Sequence, residues 1–163
     1  MRRLAVSDAP DSLALAWLRE RQVPHRVHVH APIGGYESAK ALLPFDPAAM
    51  VKGLAFRLTE GACAIVALRA ADRADYRKIA DALGVRRADL QLATPEDIAA
   101  QLGMVPGGVA PVPVGGARLL VDASVAGLGA IFCGSGRNDA TLEIRADELL
   151  RATQAPLSDL VKR

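Results

Sequence analysis

Aromatic residues are scarce in this chain: three Phe, two Tyr and one Trp in 163 residues, about 4%. A core must therefore be built from Ala, Val and Leu, which supply most of the 51% hydrophobic content. Only two cysteines occur, Cys63 and Cys133, both inside apolar strand-like runs. That excludes a disulfide scaffold and reads as buried, reduced thiols. Histidine is absent after His30, which removes any Ser–His or Cys–His nucleophilic pair that depends on a downstream imidazole. No run reaches transmembrane length, and Met1 to Val6 meets Ser7-Asp8-Ala9-Pro10-Asp11 without the apolar stretch of a signal peptide. No membrane partner and a cytoplasmic location are the expectations. The net charge of +2 permits a nucleic-acid partner without requiring one.

Lysine is also rare. Only Lys40, Lys52, Lys78 and Lys162 stand against sixteen arginines. Lys52 lies within Met50-Val51-Lys52-Gly53-Leu54-Ala55-Phe56, a run that otherwise reads as a buried strand. An ammonium there is costly unless it is paired, reaches water or binds something. A pocket lysine can hold a phosphate or a developing negative charge.

The length suits one domain, residues 1–163, with a sizeable core. Asp8 to Asp11 predicts a helix start, with Leu13, Trp17 and Leu18 on one face, and Pro24 ends the segment. His25 to His30 alternates as a half-buried strand, and Tyr36 to Leu43 is a short helix stopped by Pro44. Val51 to Leu58 and Ala62 to Leu68, split by Thr59-Glu60-Gly61, predict a hairpin. Asp72 to Leu83 has helical spacing with Gly84 as its cap. Thr94-Pro95-Glu96-Asp97 carries the N-cap, first-turn proline and acidic N3 of another helix start. Strands are expected at Leu119 to Val121, Leu128 to Cys133 and Thr141 to Ile144, and a last helix at Ala146 to Thr153. Helices and hairpins mix without a repeating strand–helix–strand period. The expected class is α+β (mixed α/β), with a largely antiparallel or mixed central sheet flanked by helices.

Between Gly103 and Pro113 no regular element survives the glycines and prolines. Gly107 and Gly108, with Pro106 and Pro111 stiffening the ends, could bring successive N–H donors close to a ligand. A plain surface connection is the competing explanation. His28 and His30 share a strand face, but two histidines with no third donor make a poor metal site, so no metal or cofactor is expected. Ser135 sits in a Gly-Ser-Gly turn without the elbow sequence of a nucleophile. Arg73 and Arg77, four apart on one helix, lie near Arg69, Lys78, Arg86 and Arg87. These form either a phosphate-contacting surface or a solvated face balanced by Asp72, Asp75 and Asp81.

Together, Lys52 in its strand, Ala93-Thr94-Pro95-Glu96, Leu102-Gly103 running into Gly107-Gly108-Val109-Ala110-Pro111, Val121-Asp122, and Gly134-Ser135-Gly136-Arg137 before Leu142-Glu143-Ile144 resemble the YbaK/EbsC family. The likeness spans about residues 12–153. That family resembles the inserted editing domain of bacterial prolyl-tRNA synthetases and acts as freestanding aminoacyl-tRNA deacylases. The resemblance implies hydrolysis of the ester between a wrong amino acid and the terminal adenosine of tRNA, with tRNA-Pro foremost and a synthetase as a further partner. By position, Lys52 would orient the tRNA end or steady charge, and Gly107 and Gly108 would face the ester carbonyl. Val109, Ala110 and Pro111 would complete the nucleotide-holding loop, and Asp122, Gly134, Ser135, Gly136 and Arg137 would line the same cavity. His30 falls near a pocket tyrosine of relatives. Given such a substrate, the phosphate-contacting alternative for Arg73, Arg77, Arg86 and Arg87, read from their charge and spacing, would face the acceptor end. Ala110 stands where many relatives have serine, and Gly53 where they have Thr or Asn. The Gly-x-His element of alanine-specific editing domains is missing. A non-catalytic tRNA- or nucleotide-binding module of the same fold is the alternative reading.

Overall fold

The computed structural model describes residues 11–163. The expected helix start at Asp8 to Pro10 lies outside the described residues. Ser12 caps the first helix instead, its hydroxyl accepting the Leu15 amide at the head of α1 (Leu13–Glu20). The chain continues through β1 (Arg26–Val29), α2 (Tyr36–Leu42), β2 (Val51–Leu58), β3 (Cys63–Arg69), α3 (Tyr76–Leu83) and β4 (Leu90–Leu92). Next come α4 (Pro95–Asp97), which runs on as a π-helical turn Ile98–Leu102, then β5 (Arg118–Asp122), β6 (Ala130–Gly134), β7 (Ala140–Arg145), α5 (Ala146–Thr153) and β8 (Leu157–Ser158). The class is mixed α+β.

The strands form two sheets where the sequence predicts one. A three-stranded sheet, β1-β7-β6, is antiparallel throughout. A five-stranded sheet runs β4-β2-β3-β5-β8, antiparallel at its first two pairings and parallel where β5 meets β3 and β8. Parallel entry of β5 needs a long crossover, and the segment from Ala93 to Ala117 supplies it. β4 and β8 escape the sequence reading because three and two residues cannot display a period.

β3 explains why there are two apolar layers. Its residues alternate between them: Cys63, Ile65 and Ala67 enter the core shared with α1 and the three-stranded sheet, while Ala64, Val66 and Leu68 enter the core under α3. A strand covered on both faces reads as an unbroken apolar run. α3 contributes Ile79, Ala80 and Leu83 to the second core. Burying each large aliphatic of this kind stabilises by about 1.5–3 kcal/mol. The helix starts at Tyr76, capped by the Asp75 carboxylate, and not at Asp72. Ala74 is drawn into an antiparallel bridge with Val161, which holds that stretch extended. Gly84 ends the helix in the left-handed conformation, φ +74°, and Thr94 and Asp97 close the predicted capping box.

Asp122, expected at the site, is a strut. It is 2% exposed; one carboxylate oxygen accepts the Leu160 amide at 2.8 Å and the other accepts the Ser124 amide at 3.1 Å. It thus ties the C-terminal segment to β5. Asp122→Ala leaves the buried Leu160 donor without its acceptor and is expected to cost about 1–3 kcal/mol, read as a lowered urea midpoint with an unchanged m-value. Asp122→Asn, which keeps one carbonyl acceptor, should lose less.

Candidate active site

The two sheets touch where Met50 bridges Phe132 in parallel fashion. β4 pairs with β2 only from Phe56 to Leu58. Among the described residues, Lys52, Gly53 and Leu54 therefore have a ladder partner on the β3 side alone. A cavity of about 400 Å³ opens in this gap. Its walls are mainly apolar: Ile33, Leu43, Met50, Val109 and a stacked pair, Phe45 and Phe132, with ring centres 4.2 Å apart. Tyr36, Lys52, Arg137 and Thr141 supply the polar side chains.

The glycine–proline loop is wedged into this seam. A Cβ on Gly53 of β2 would stand 2.6 Å from the Val109 carbonyl oxygen, and one on Gly134 of β6 only 2.3 Å from the same atom. Both strands thus need glycine for the loop to lie between them. The loop is also tied to the turn after β6: Gly136 donates to the Gly108 carbonyl at 2.7 Å, and Val105 donates to the Gly136 carbonyl at 3.1 Å. The Gly108 amide is consumed internally by the Val105 carbonyl at 3.1 Å, and the Ala110 amide points to the Met104 sulfur at 3.3 Å. Among the described residues, no protein acceptor engages the amides of Gly107 or Val109, and both residues line the cavity.

Lys52 leaves β2 on the face of Leu54, Phe56 and Leu58, at the open end of the second core. Its ammonium donates to the Asp72 carbonyl oxygen at 2.6 Å. Burial lowers its pKa from the ordinary 10.5, and the nearby Asp72 charge partly opposes that. The residue borders two spaces at once. On one side is the apolar cavity; on the other is a trough of about 590 Å³ lined by Leu54, Arg73, Ala74, Asp75, Tyr76, Arg77, Arg87 and Lys162.

The residues predicted for the site divide into two groups. Lys52, Gly107, Val109, Gly134 and Arg137 surround the cavity. Gly108, Ala110, Pro111, Asp122, Ser135 and Gly136 do not line it. Ala110 is fully buried, and Gly108 packs against the Arg137 backbone. Ser135 is fully buried as well, its hydroxyl donating to the Ala140 carbonyl at 2.7 Å while its own carbonyl accepts the Ser12 hydroxyl. Its role is to fix the turn. Arg137 is held by Asp139 through two bonds of 2.7 and 2.8 Å, which keeps the Asp139 carboxyl below its usual range. His30 is one step removed, its Nε2 lying 2.7 Å from the Thr141 hydroxyl at the cavity wall. His28 is engaged by Glu143 at 2.7 Å. Among the described residues, no group of three or more His, Cys, Asp or Glu could hold a metal. Arg73, Arg77 and Arg87 share the trough, whereas Arg86 pairs with Asp89 outside it.

Phe45, Phe132, Tyr36, Thr141 and Lys162 escaped the sequence reading. The scarcity of aromatics was the available signal, since two of the three phenylalanines meet here. Cys133 also borders the cavity, but burial pushes its thiol up to about 12, which leaves it unreactive.

Solved structures with this fold include two of similar length. One is a proposed trans-editing enzyme for prolyl tRNA synthetase, 23% identical, TM-score 0.81, with 99% of this chain and 100% of that one covered. The other is hypothetical protein APE2540, 25% identical, TM-score 0.79, covering 91% and 98%. A longer protein from Marinobacter aquaeolei VT8, described as acting in signal transduction, holds the same fold in 31% of its length, with 94% of this chain covered at 18% identity and a TM-score of 0.67. No curated protein sequence matches the chain. The family model of the aminoacyl-tRNA editing domain matches residues 30–152, and the chain belongs to that family.

A lysine pKa depressed by folding has a definite pH signature. Between the folded value and 10.5 the unfolded chain binds more protons, so stability rises with pH through that window. The penalty for the charged form is fully present below the folded pKa. Urea stability of the wild type relative to Lys52→Met is therefore expected to improve as pH climbs toward 10.5, and the ¹³Cε resonance of Lys52 should titrate below the free-lysine value.

Proposed function

We propose that the protein is a freestanding aminoacyl-tRNA deacylase, working in trans in the cytoplasm on tRNA mischarged by a synthetase, with tRNA-Pro as the first candidate. The observation that carries this reading is Lys52 bordering the same apolar cavity as Gly107 and Val109, whose amides engage no protein acceptor among the described residues. Family membership supports the reaction, and the description of one structural neighbour supports the prolyl system.

In ester hydrolysis, water adds to the acyl carbonyl and its oxygen becomes an oxyanion. The tetrahedral species then collapses, breaking the bond to the ribose oxygen, which leaves as a hydroxyl once protonated. Free backbone N–H groups suit the oxyanion, and each donor of this kind can contribute about 3 kcal/mol to the barrier. Lys52 suits the negative charge on either the oxyanion or the departing ribose oxygen. Its Asp72 carbonyl contact holds the ammonium in place beforehand, so little reorganisation is needed. No carboxylate or imidazole lines the cavity among the described residues. The proton from water therefore passes to solvent, or is relayed through the neighbouring ribose hydroxyl to the departing ribose oxygen, which leaves as a hydroxyl; positioning supplies the rest.

The binding-module alternative drew on Ala110 and Gly53. Ala110 is buried behind the loop, and Gly53 is where the Val109 carbonyl fits. Both departures then concern packing, and neither removes a reactive group from the cavity.

The test is deacylation of a panel of charged tRNAs: Cys-, Ala-, Ser- and Pro-tRNA-Pro, with Ala-tRNA-Ala. The wild type is expected to release one mischarged species, and Lys52→Ala to lower kcat/KM roughly a hundredfold while unfolding at a similar temperature. A Lys52→Ala enzyme as fast as wild type would refute the role given to this residue. Silence of the wild type across the panel with tRNA still bound would favour the module.

A further inference from the structure

The cationic trough beyond Lys52 is built differently from an ordinary solvated face. Five cationic side chains line it, Lys52, Arg73, Arg77, Arg87 and Lys162, against one carboxylate, Asp75. That carboxylate is occupied as the cap of α3, accepting the amides of Arg77 and Lys78 at 3.1 Å. Asp81, one turn along α3 from Arg77, does not line the trough, and three further acids have partners of their own. Asp72 pairs with Arg69, Asp89 with Arg86, and Asp159 with Lys78 and Arg163. Among the described residues, no ion pair engages Arg73, Arg77, Arg87 or Lys162. Cations left unpaired beside one another repel, and the arrangement makes sense where an outside polyanion neutralises them.

The positions are contributed by separate parts of the chain. Lys52 comes from β2, Arg73 from the turn before α3, Arg77 from its first turn, and Arg87 from the turn before β4. Lys162 is brought in by the C-terminal segment, whose backbone donates to the Arg73 carbonyl at 2.8 Å. Arg87 lies over the Tyr76 ring, 4.8 Å from its centre, and Tyr76 in turn meets Phe56 edge-on. Guanidinium over an aromatic ring is the arrangement on which a nucleobase stacks. The trough and the apolar cavity share Lys52 and Leu54 as lining residues, so the two spaces are neighbours.

We propose that this trough binds a single-stranded nucleic-acid backbone: the unpaired nucleotides that precede the esterified ribose, with their phosphodiesters on Arg73, Arg77 and Lys162. The proposal rests on the deacylase reading for its direction of threading, and its binding surface is measurable without turnover.

The probe is a fluorescent 12-nucleotide RNA ending in CCA, followed by anisotropy over a salt series, with a blunt duplex of equal length as comparison. Arg73→Gln/Arg77→Gln is expected to weaken single-strand binding about tenfold and to make the log–log salt slope shallower by about 1.4, near 0.7 for each lost contact. Arg73→Lys/Arg77→Lys should retain most of the affinity. The charge-matched control Arg145→Gln/Arg151→Gln, whose arginines pair with Asp147 and Glu148, should stay within about twofold. With substrate, the trough variant should raise KM for aminoacyl-tRNA with kcat held, and leave hydrolysis of 3′-aminoacyl adenosine, which lacks those phosphates, unchanged. Equal weakening by the control pair, no weakening by the trough pair, or preference for the duplex would each overturn the proposal. If the wild type hydrolyses neither substrate yet the binding results hold, the deacylase reading fails and the trough stands.

Discussion

The carbonyl of Val109 is gripped from both sides. Gly53 on one sheet and Gly134 on the other each leave space that a single methyl group would close. A loop without regular hydrogen bonding is thereby closely packed on two sides. Its amides are sorted by the same contact: Gly108 is spent on its own turn, while Gly107 and Val109 remain at the cavity.

The choice of lysine at position 52 follows from the same geometry. This chain uses arginine almost everywhere else. A guanidinium brings a planar fork of donors that needs several acceptors. Here a single acceptor is provided, the Asp72 carbonyl, and the space is bounded by Leu54 and the apolar cavity wall. A compact ammonium makes that one bond and keeps its remaining donors for whatever lies at the boundary. The depressed pKa is the cost of holding it half out of water.

The sequence made the regular elements readable wherever a residue type has one physical use. Thr94 with Asp97, Gly84 after Leu83, and Thr59-Glu60-Gly61 between two apolar runs each specify a cap or a turn locally. Lys52 stood out because a charge interrupts a strand. The orientation of irregular segments was another matter. Gly107 to Pro111 and Gly134 to Arg137 have no period, so nothing local says that Gly107, Val109, Gly134 and Arg137 face the cavity while Gly108, Ala110, Ser135 and Gly136 face the protein. Asp122 was placed at the cavity by resemblance alone; its backbone partner, Leu160, reaches it across 38 residues and could not be read locally. The division into two sheets, and the arrival of Lys162 beside Arg73, are likewise long-range outcomes.

Much of the site's framework is main chain. The Val109, Gly108, Asp72 and Ser135 carbonyls position the loop, the lysine and the turn. Contacts of this kind demand glycine or small residues at a few crossings and leave the neighbouring side chains free to change. A fold so constrained can persist with a TM-score of about 0.8 while identity falls to 23–25%. The cavity wall, by contrast, is built from side chains, those of Ile33, Tyr36, Leu43, Phe45 and Phe132 among them. A substitution in that wall would resize the chamber while the main-chain contacts that hold the loop stay as they are.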